Sequence, residues 1–215
     1  MTSSLINCKQ IFRSAYENRY TWPANFCGYK GNVIYEKNDR SFEGNFSIGK
    51  DFKININDIY DEEVSKSISS QLFEVVIHRV KRDFNKIHQD NNFHFLKETE
   101  RGIEMKVSGK NDGDKYIVKN NSINMVFRKI HGIIIEIFVE EFFETSLGIL
   151  SKQYSSRQLD QVTLQPQKPL LSYVDDFVCI DNNFWILKSR SITYQLENKL
   201  KEFQRYNFTD ISLFN

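Results

Sequence analysis

The residues best suited to bind metal or move protons are four histidines, His78, His88, His94 and His131, and three cysteines, Cys8, Cys27 and Cys179. Their spacing supports neither task. No His-x-x-x-His or His-Glu-x-x-His pattern is present and no cysteine stands at ligand spacing, so no metal and no cofactor is expected. An odd set of thiols without Cys-x-x-Cys points to buried, reduced cysteines in a cytoplasmic setting. Cys27, beside Gly28, reads as one of these. The carboxylate pairs Glu62-Glu63, Glu140-Glu141 and Asp175-Asp176 do not converge, because neighbours on a strand face opposite sides and those on a helix diverge by about 100°. The first reads as a helix start, the other two as strand edges or solvated positions. There is no nucleophile elbow, phosphate loop or dinucleotide fingerprint. No catalytic residue is assigned, and a binding role is favoured over an enzyme with dispersed catalytic groups.

Two constellations remain. Tyr16-Glu17-Asn18-Arg19-Tyr20-Thr21-Trp22 is dense in aromatic and hydrogen-bonding groups, and His78-Arg79-Val80-Lys81-Arg82 is strongly basic. Arginine and aromatic groups together recognise anionic or conjugated ligands. The candidate ligand-binding residues are therefore Tyr16, Arg19, Tyr20, Trp22, His78, Arg79 and Arg82. The plainer alternative is a packed helix end and a cationic last turn that matches the helix dipole.

These residues lie where helices end. Ser3 and Ser4 are possible caps for a first helix whose stripe is Leu5, Cys8, Ile11, Phe12 and Ala15, running to about Asn18 before Trp22-Pro23 forces a break. Val33 and Tyr35, then Phe42, Phe46 and Ile48, then Phe52, Ile54 and Ile56 alternate with polar neighbours and predict a three-stranded meander. A second, long helix over 61–84 carries Val64, Ile68, Leu72, Val75, Val76 and Val80, with acids first and bases last. Over 93–215 the pattern returns to antiparallel strands and turns, with individual strands named between Phe93 and Phe143 and a turn at Gly109–Gly113. Gln165-Pro166-Gln167-Lys168-Pro169 is a long loop. Strands over Tyr173–Ile180, Phe184–Leu196 and Phe203–Leu213 follow, separated by turns at Asp181-Asn182-Asn183 and Glu197-Asn198-Lys199.

The sum is an α+β chain: a single domain with a long curved antiparallel sheet of about nine to eleven strands, a half-barrel with two helices on its concave side. Composition agrees. The 215 residues include 18 Phe and 10 Tyr but only Ala15 and Ala24 as alanines, which favours sheet. A net charge of +1 argues against a nucleic-acid partner. The apolar run Ile133–Phe143 is interrupted by three glutamates and is too short to span a bilayer. No cationic start precedes Leu5-Ile6-Asn7-Cys8, so no export signal is expected.

The motif Phe12-Arg13-Ser14-Ala15-Tyr16-Glu17-Asn18-Arg19-Tyr20-Thr21-Trp22, with Phe26-Cys27-Gly28-Tyr29, resembles the opening of an uncharacterised family of cyanobacteria and chloroplast-bearing lineages. His78–Phe84 and Tyr206–Ile211 extend the resemblance along nearly the whole chain. Pro23-Ala24-Asn25 and Cys27 depart from it, standing where acidic residues and proline are expected. The family brings no reaction with it. The element order is also similar to the lipoprotein-carrier fold, a half-barrel with a helical lid over an apolar cavity. The functional expectation is an apolar ligand, such as a lipid, isoprenoid or pigment, with Arg19, Tyr20 and Trp22 near the mouth. The alternative is a partner protein docked on a filled core.

Overall fold

The computed structural model describes residues 6–181, 183–195 and 201–214. The expected caps Ser3 and Ser4, the stripe position Leu5, and the turn at Glu197-Asn198-Lys199 lie outside them, as do Asn182 and Leu196. Twelve strands and three helices are present among the described residues, against the nine to eleven strands and two helices that the sequence suggests. They form two compact units, each drawn from separate stretches of chain. One contains the residues up to Tyr20 and Arg82–Ser172; the other contains Thr21–Lys81 and Tyr173 onward. Because each unit is assembled from distant segments, no shift in composition along the chain marks them.

In the first unit, helix α1 (Cys8–Glu17) starts at Asn7, whose side chain accepts the Gln10 N–H at 3.0 Å. Its buried face, Cys8, Phe12 and Ala15, packs with Phe84, Met105, Val107, Tyr116 and Val118. The Phe12 ring lies 4.4 Å from that of Tyr116 and 4.6 Å from that of Phe93, and burying such a ring contributes about 1.5–3 kcal/mol. The sheet of this unit runs in the order β9 (Gly148–Asp160), β8 (Ile133–Thr145), β7 (Ser122–Ile130), β6 (Lys115–Lys119), β5 (Gly102–Gly109), β4 (Asn91–Thr99). All of its ladders are antiparallel.

Strand β9 falls within the stretch expected to form antiparallel strands, at 148–160, where the sequence names no individual strand. Its polar sequence, Ser151-Lys152-Gln153-Tyr154-Ser155-Ser156-Arg157, has no clear apolar alternation, and pairing with β8 from Thr145↔Gly148 to Ile133↔Asp160 imposes the strand instead.

In the second unit the sheet order is β3 (Ile54–Asn57), β2 (Arg40–Gly49), β1 (Gly28–Lys37), β12 (Lys201–Leu213), β11 (Phe184–Gln195), β10 (Leu170–Ile180, of which Tyr173 onward belongs here). Phe52 is not a strand residue as expected; it lies in the turn before β3, with φ +64°. Helix α2 (Glu62–Arg79) begins at Asp61, whose carboxylate accepts the Glu63 and Val64 N–H groups. Val64, Ile68, Leu72, Val75 and Val76 are its buried face.

The long helix expected over 61–84 is therefore two. Val80 leaves helical geometry, and Asp83 caps a separate α3 (Phe84–His88). The Arg79 carbonyl, left without a helical partner at the end of α2, accepts the Trp22 N–H at 2.9 Å.

Candidate functional site

The two constellations do meet. In the first unit the Tyr16 hydroxyl donates to the Arg82 carbonyl at 3.4 Å, and in the second Trp22 donates to Arg79 as above. The side chains themselves are distributed between the units. Tyr16 and Arg19 are half-buried, Tyr20 is fully buried and Arg82 is exposed, all in the first. Trp22 is buried, Arg79 half-buried and His78 exposed in the second.

Arg19 sits over the Tyr16 ring, 3.9 Å from its centroid, and its Nε donates to the Tyr16 carbonyl at 2.9 Å. Burial lowers its pKa, and among the described residues it has no ion pair with a carboxylate. The Tyr20 N–H donates to the Ile149 carbonyl at 2.8 Å, tying the exit of α1 to β9. The Arg79 guanidinium lies 5.8 Å from the centroid of the Phe177 ring.

Asp175 overturns the reading of its pair as a solvated strand edge. It is 2% exposed and receives two parallel bonds from Arg190, Nε at 2.8 Å and Nη2 at 2.7 Å. The remaining Nη1 reaches Gln71 at 3.0 Å and Glu74 at 3.3 Å on α2. Burial raises the Glu74 pKa, Arg190 opposes the rise and Asp175 adds to it. Asp176, by contrast, is exposed. This cluster joins α2 to β10 and β11; its members are too far apart in sequence for any motif to reveal it.

Two clefts open on the units. The larger, about 630 Å³, belongs to the first; Ile11, Ile103 and Val118 line it together with Gln10, Ser14 and Thr99, and more of its surface is apolar than polar. The smaller, about 480 Å³, belongs to the second and is walled by Ile180, Phe184, Ile211, Leu213 and Phe214, with Asn25, Asp181 and Ser212 as polar points. Cys27 also lines it and is half-exposed, as is Cys179; only Cys8 is buried, which corrects the expectation of three buried thiols.

Behind the apolar wall Phe26 contacts Phe184, ring centroids 6.1 Å apart, and stacks on Trp22 at 4.1 Å with the planes within 5°. Gly28 lets the strands close here. Its φ is +95°, and a Cβ would collide with the Ile48 carbonyl and touch the Phe214 ring. The sequence named Trp22 and the Phe26–Tyr29 run, but not the wall from Ile211–Phe214, which only the pairing of β12 with β1 brings alongside.

The family described as "Protein of unknown function (DUF3386)" matches residues 4–214. The chain belongs to the DUF3386 family. The resemblance seen at Phe12–Trp22 is thus to an uncharacterised family, and the match covers nearly the whole DUF3386 chain. No curated protein matches it. Among solved structures it is similar to a DUF1329 family protein from Desulfovibrio piger, at 9% identity over 96% of this chain and 93% of that one, with a TM-score of 0.32. It is also similar to a LolA superfamily protein from Nitrosomonas europaea, at 8% identity, 98% and 95% coverage and a TM-score of 0.28. A chain from the MucA/MucB complex of Pseudomonas aeruginosa follows, at 8% identity, 94% and 93% coverage and a TM-score of 0.25. No described helix is long and apolar enough to cross a membrane.

Proposed function

We propose that this DUF3386 chain is a non-enzymatic binding protein that holds an apolar ligand, a lipid, isoprenoid or pigment, in the cleft of its second unit. One observation carries the reading: a cleft of about 480 Å³ in which Phe184, Phe214, Ile180, Ile211 and Leu213 stand together, beside a polar share of the lining that includes Asn25, Asp181 and Ser212. Small-molecule sites have this size. Trp22 stacks on Phe26, which contacts Phe184 of the wall. Arg19, with no acid partner, serves an anionic group in the first unit. The cytoplasmic placement enters only through the three unpaired thiols.

The test is titration with the apolar fluorophore N-phenyl-1-naphthylamine. Fluorescence should rise and shift to the blue with the native chain, and Ile211→Lys should abolish the gain while circular dichroism stays unchanged. No gain with the native chain, or an undiminished gain in the variant, contradicts the proposal.

A second reading, docking of a partner protein, is favoured by the loop after β9. Asp160 accepts the N–H groups of Val162 and Thr163 at 2.9 and 2.7 Å, fixing a loop on which Val162 is 89% and Leu164 54% exposed. Val162→Asp with Leu164→Asp should abolish capture of a specific partner under this reading and leave fluorophore binding intact under the first.

A further inference from the structure

Two polar atoms of the second unit are buried without a hydrogen-bond partner among the described residues: Trp22 Nε1 and the Tyr29 hydroxyl. Trp22 is 5% exposed and Tyr29 1%, and their rings stand 5.9 Å apart at 72°. A donor buried without an acceptor loses its hydration and gains nothing, so such atoms are uncommon and call for an explanation.

A third feature lies beside them. Phe52, bulky and not glycine, has φ +64°, a backbone geometry that persists only where the surroundings impose it and that clusters at functional sites. Its ring is parallel to both Trp22 and Phe26, within 8° and 9°, at 6.2 and 6.1 Å. Phe52 thus lies beside the stacked pair, equally far from both rings and parallel to them, at the end of a tight turn closed by its own N–H to the Gly49 carbonyl at 2.8 Å.

We propose that a planar conjugated ligand bearing a hydrogen-bond acceptor reaches behind the Phe184 wall of the cleft, to the place that Phe52 holds. Its plane takes the place of the Phe52 ring against Trp22 and Phe26, and its acceptor receives the Trp22 Nε1–H and the Tyr29 O–H. The inference rests on the reading of the cleft as an apolar-ligand site and adds the chemical class. Parallel aromatic faces select flatness, and the two unused donors select a carbonyl-like oxygen. Displacing Phe52 also releases its strained backbone.

The experiment compares 2,3-dimethyl-1,4-naphthoquinone with 2,3-dimethylnaphthalene by equilibrium dialysis. The two share ring shape and methyl groups and differ by two carbonyl oxygens, and full substitution of the quinone ring keeps it from adding to the Cys27 thiol. The native chain should bind the quinone roughly tenfold more tightly than the hydrocarbon. Trp22→Phe and Tyr29→Phe should each reduce that preference severalfold without loss of stability, since neither atom has a protein partner to lose. Phe52→Gly should tighten binding of both probes. Equal binding of both probes by the native chain, or a preference that survives both phenylalanine variants, overturns this inference and leaves the apolar-site reading standing. Failure of both probes to bind, even to Phe52→Gly, overturns both.

Discussion

Arg190 grips Asp175 through two parallel hydrogen bonds of 2.8 and 2.7 Å, and both side chains are almost wholly buried. Desolvating two charges is costly, so the pair holds its place by geometry: Gln71 and Glu74 of α2 occupy the remaining guanidinium edge. The pair fixes α2 over β10 and β11 within the second unit.

Arg190→Met should therefore destabilise the chain by about 3–5 kcal/mol, because Asp175 is left charged and buried. Arg190→Met combined with Asp175→Leu should recover most of that loss, with Glu74 turning its half-exposed carboxylate to water. Urea unfolding of the two variants checks this; equal destabilisation in both would show that the pair itself, and not the buried charge that remains, carries the energy.

His88 gives a pH dependence to the first unit. Burial, with the positive charges of Arg128, Arg19 and Lys9, lowers its pKa to about 4. The Asn91 amide donates to Nδ1 at 3.0 Å, which requires that nitrogen to be unprotonated. The folded pKa lies below the unfolded value of 6.5, so the unfolded state takes up the proton first. Stability is full above about pH 6.5 and falls as pH drops toward 4, by up to about 3 kcal/mol. Histidine NMR titration should show His88 unprotonated at pH 5, and His88→Gln should flatten the stability profile between pH 6.5 and 4. A His88 midpoint near 6.5 contradicts the account.

Gly28→Ala should cost about 1–3 kcal/mol, from the positive φ and the clash with the Ile48 carbonyl. It should also weaken N-phenyl-1-naphthylamine binding, because the added methyl meets the Phe214 ring that walls the cleft. Thermal unfolding and titration measure the two effects separately. A destabilised chain that still binds fully would place the ligand elsewhere.

Most strands were legible in the sequence because alternation such as Ile103, Met105 and Val107 survives wherever one face is buried. Strand β9 was not, since its serines, glutamines and charges carry no such pattern and only β8 dictates its form. The break between α2 and α3 was missed because Arg79-Val80-Lys81-Arg82 continues a helical composition, while the Trp22 N–H that donates to the last carbonyl comes from a distant segment. At the candidate site, local sequence singled out Trp22. It could not show that residues 211–214 would face residues 25–27, nor that Asp175 would meet Arg190 and α2.

The most direct measurement is methyl NMR of the chain labelled at Ile and Leu, titrated with 2,3-dimethylnaphthalene. The account predicts ring-current shifts confined to Ile180, Ile211 and Leu213, with Ile134 and Leu150 of the first unit unmoved. Shifts spread evenly over both units, or none at saturating probe, would contradict it.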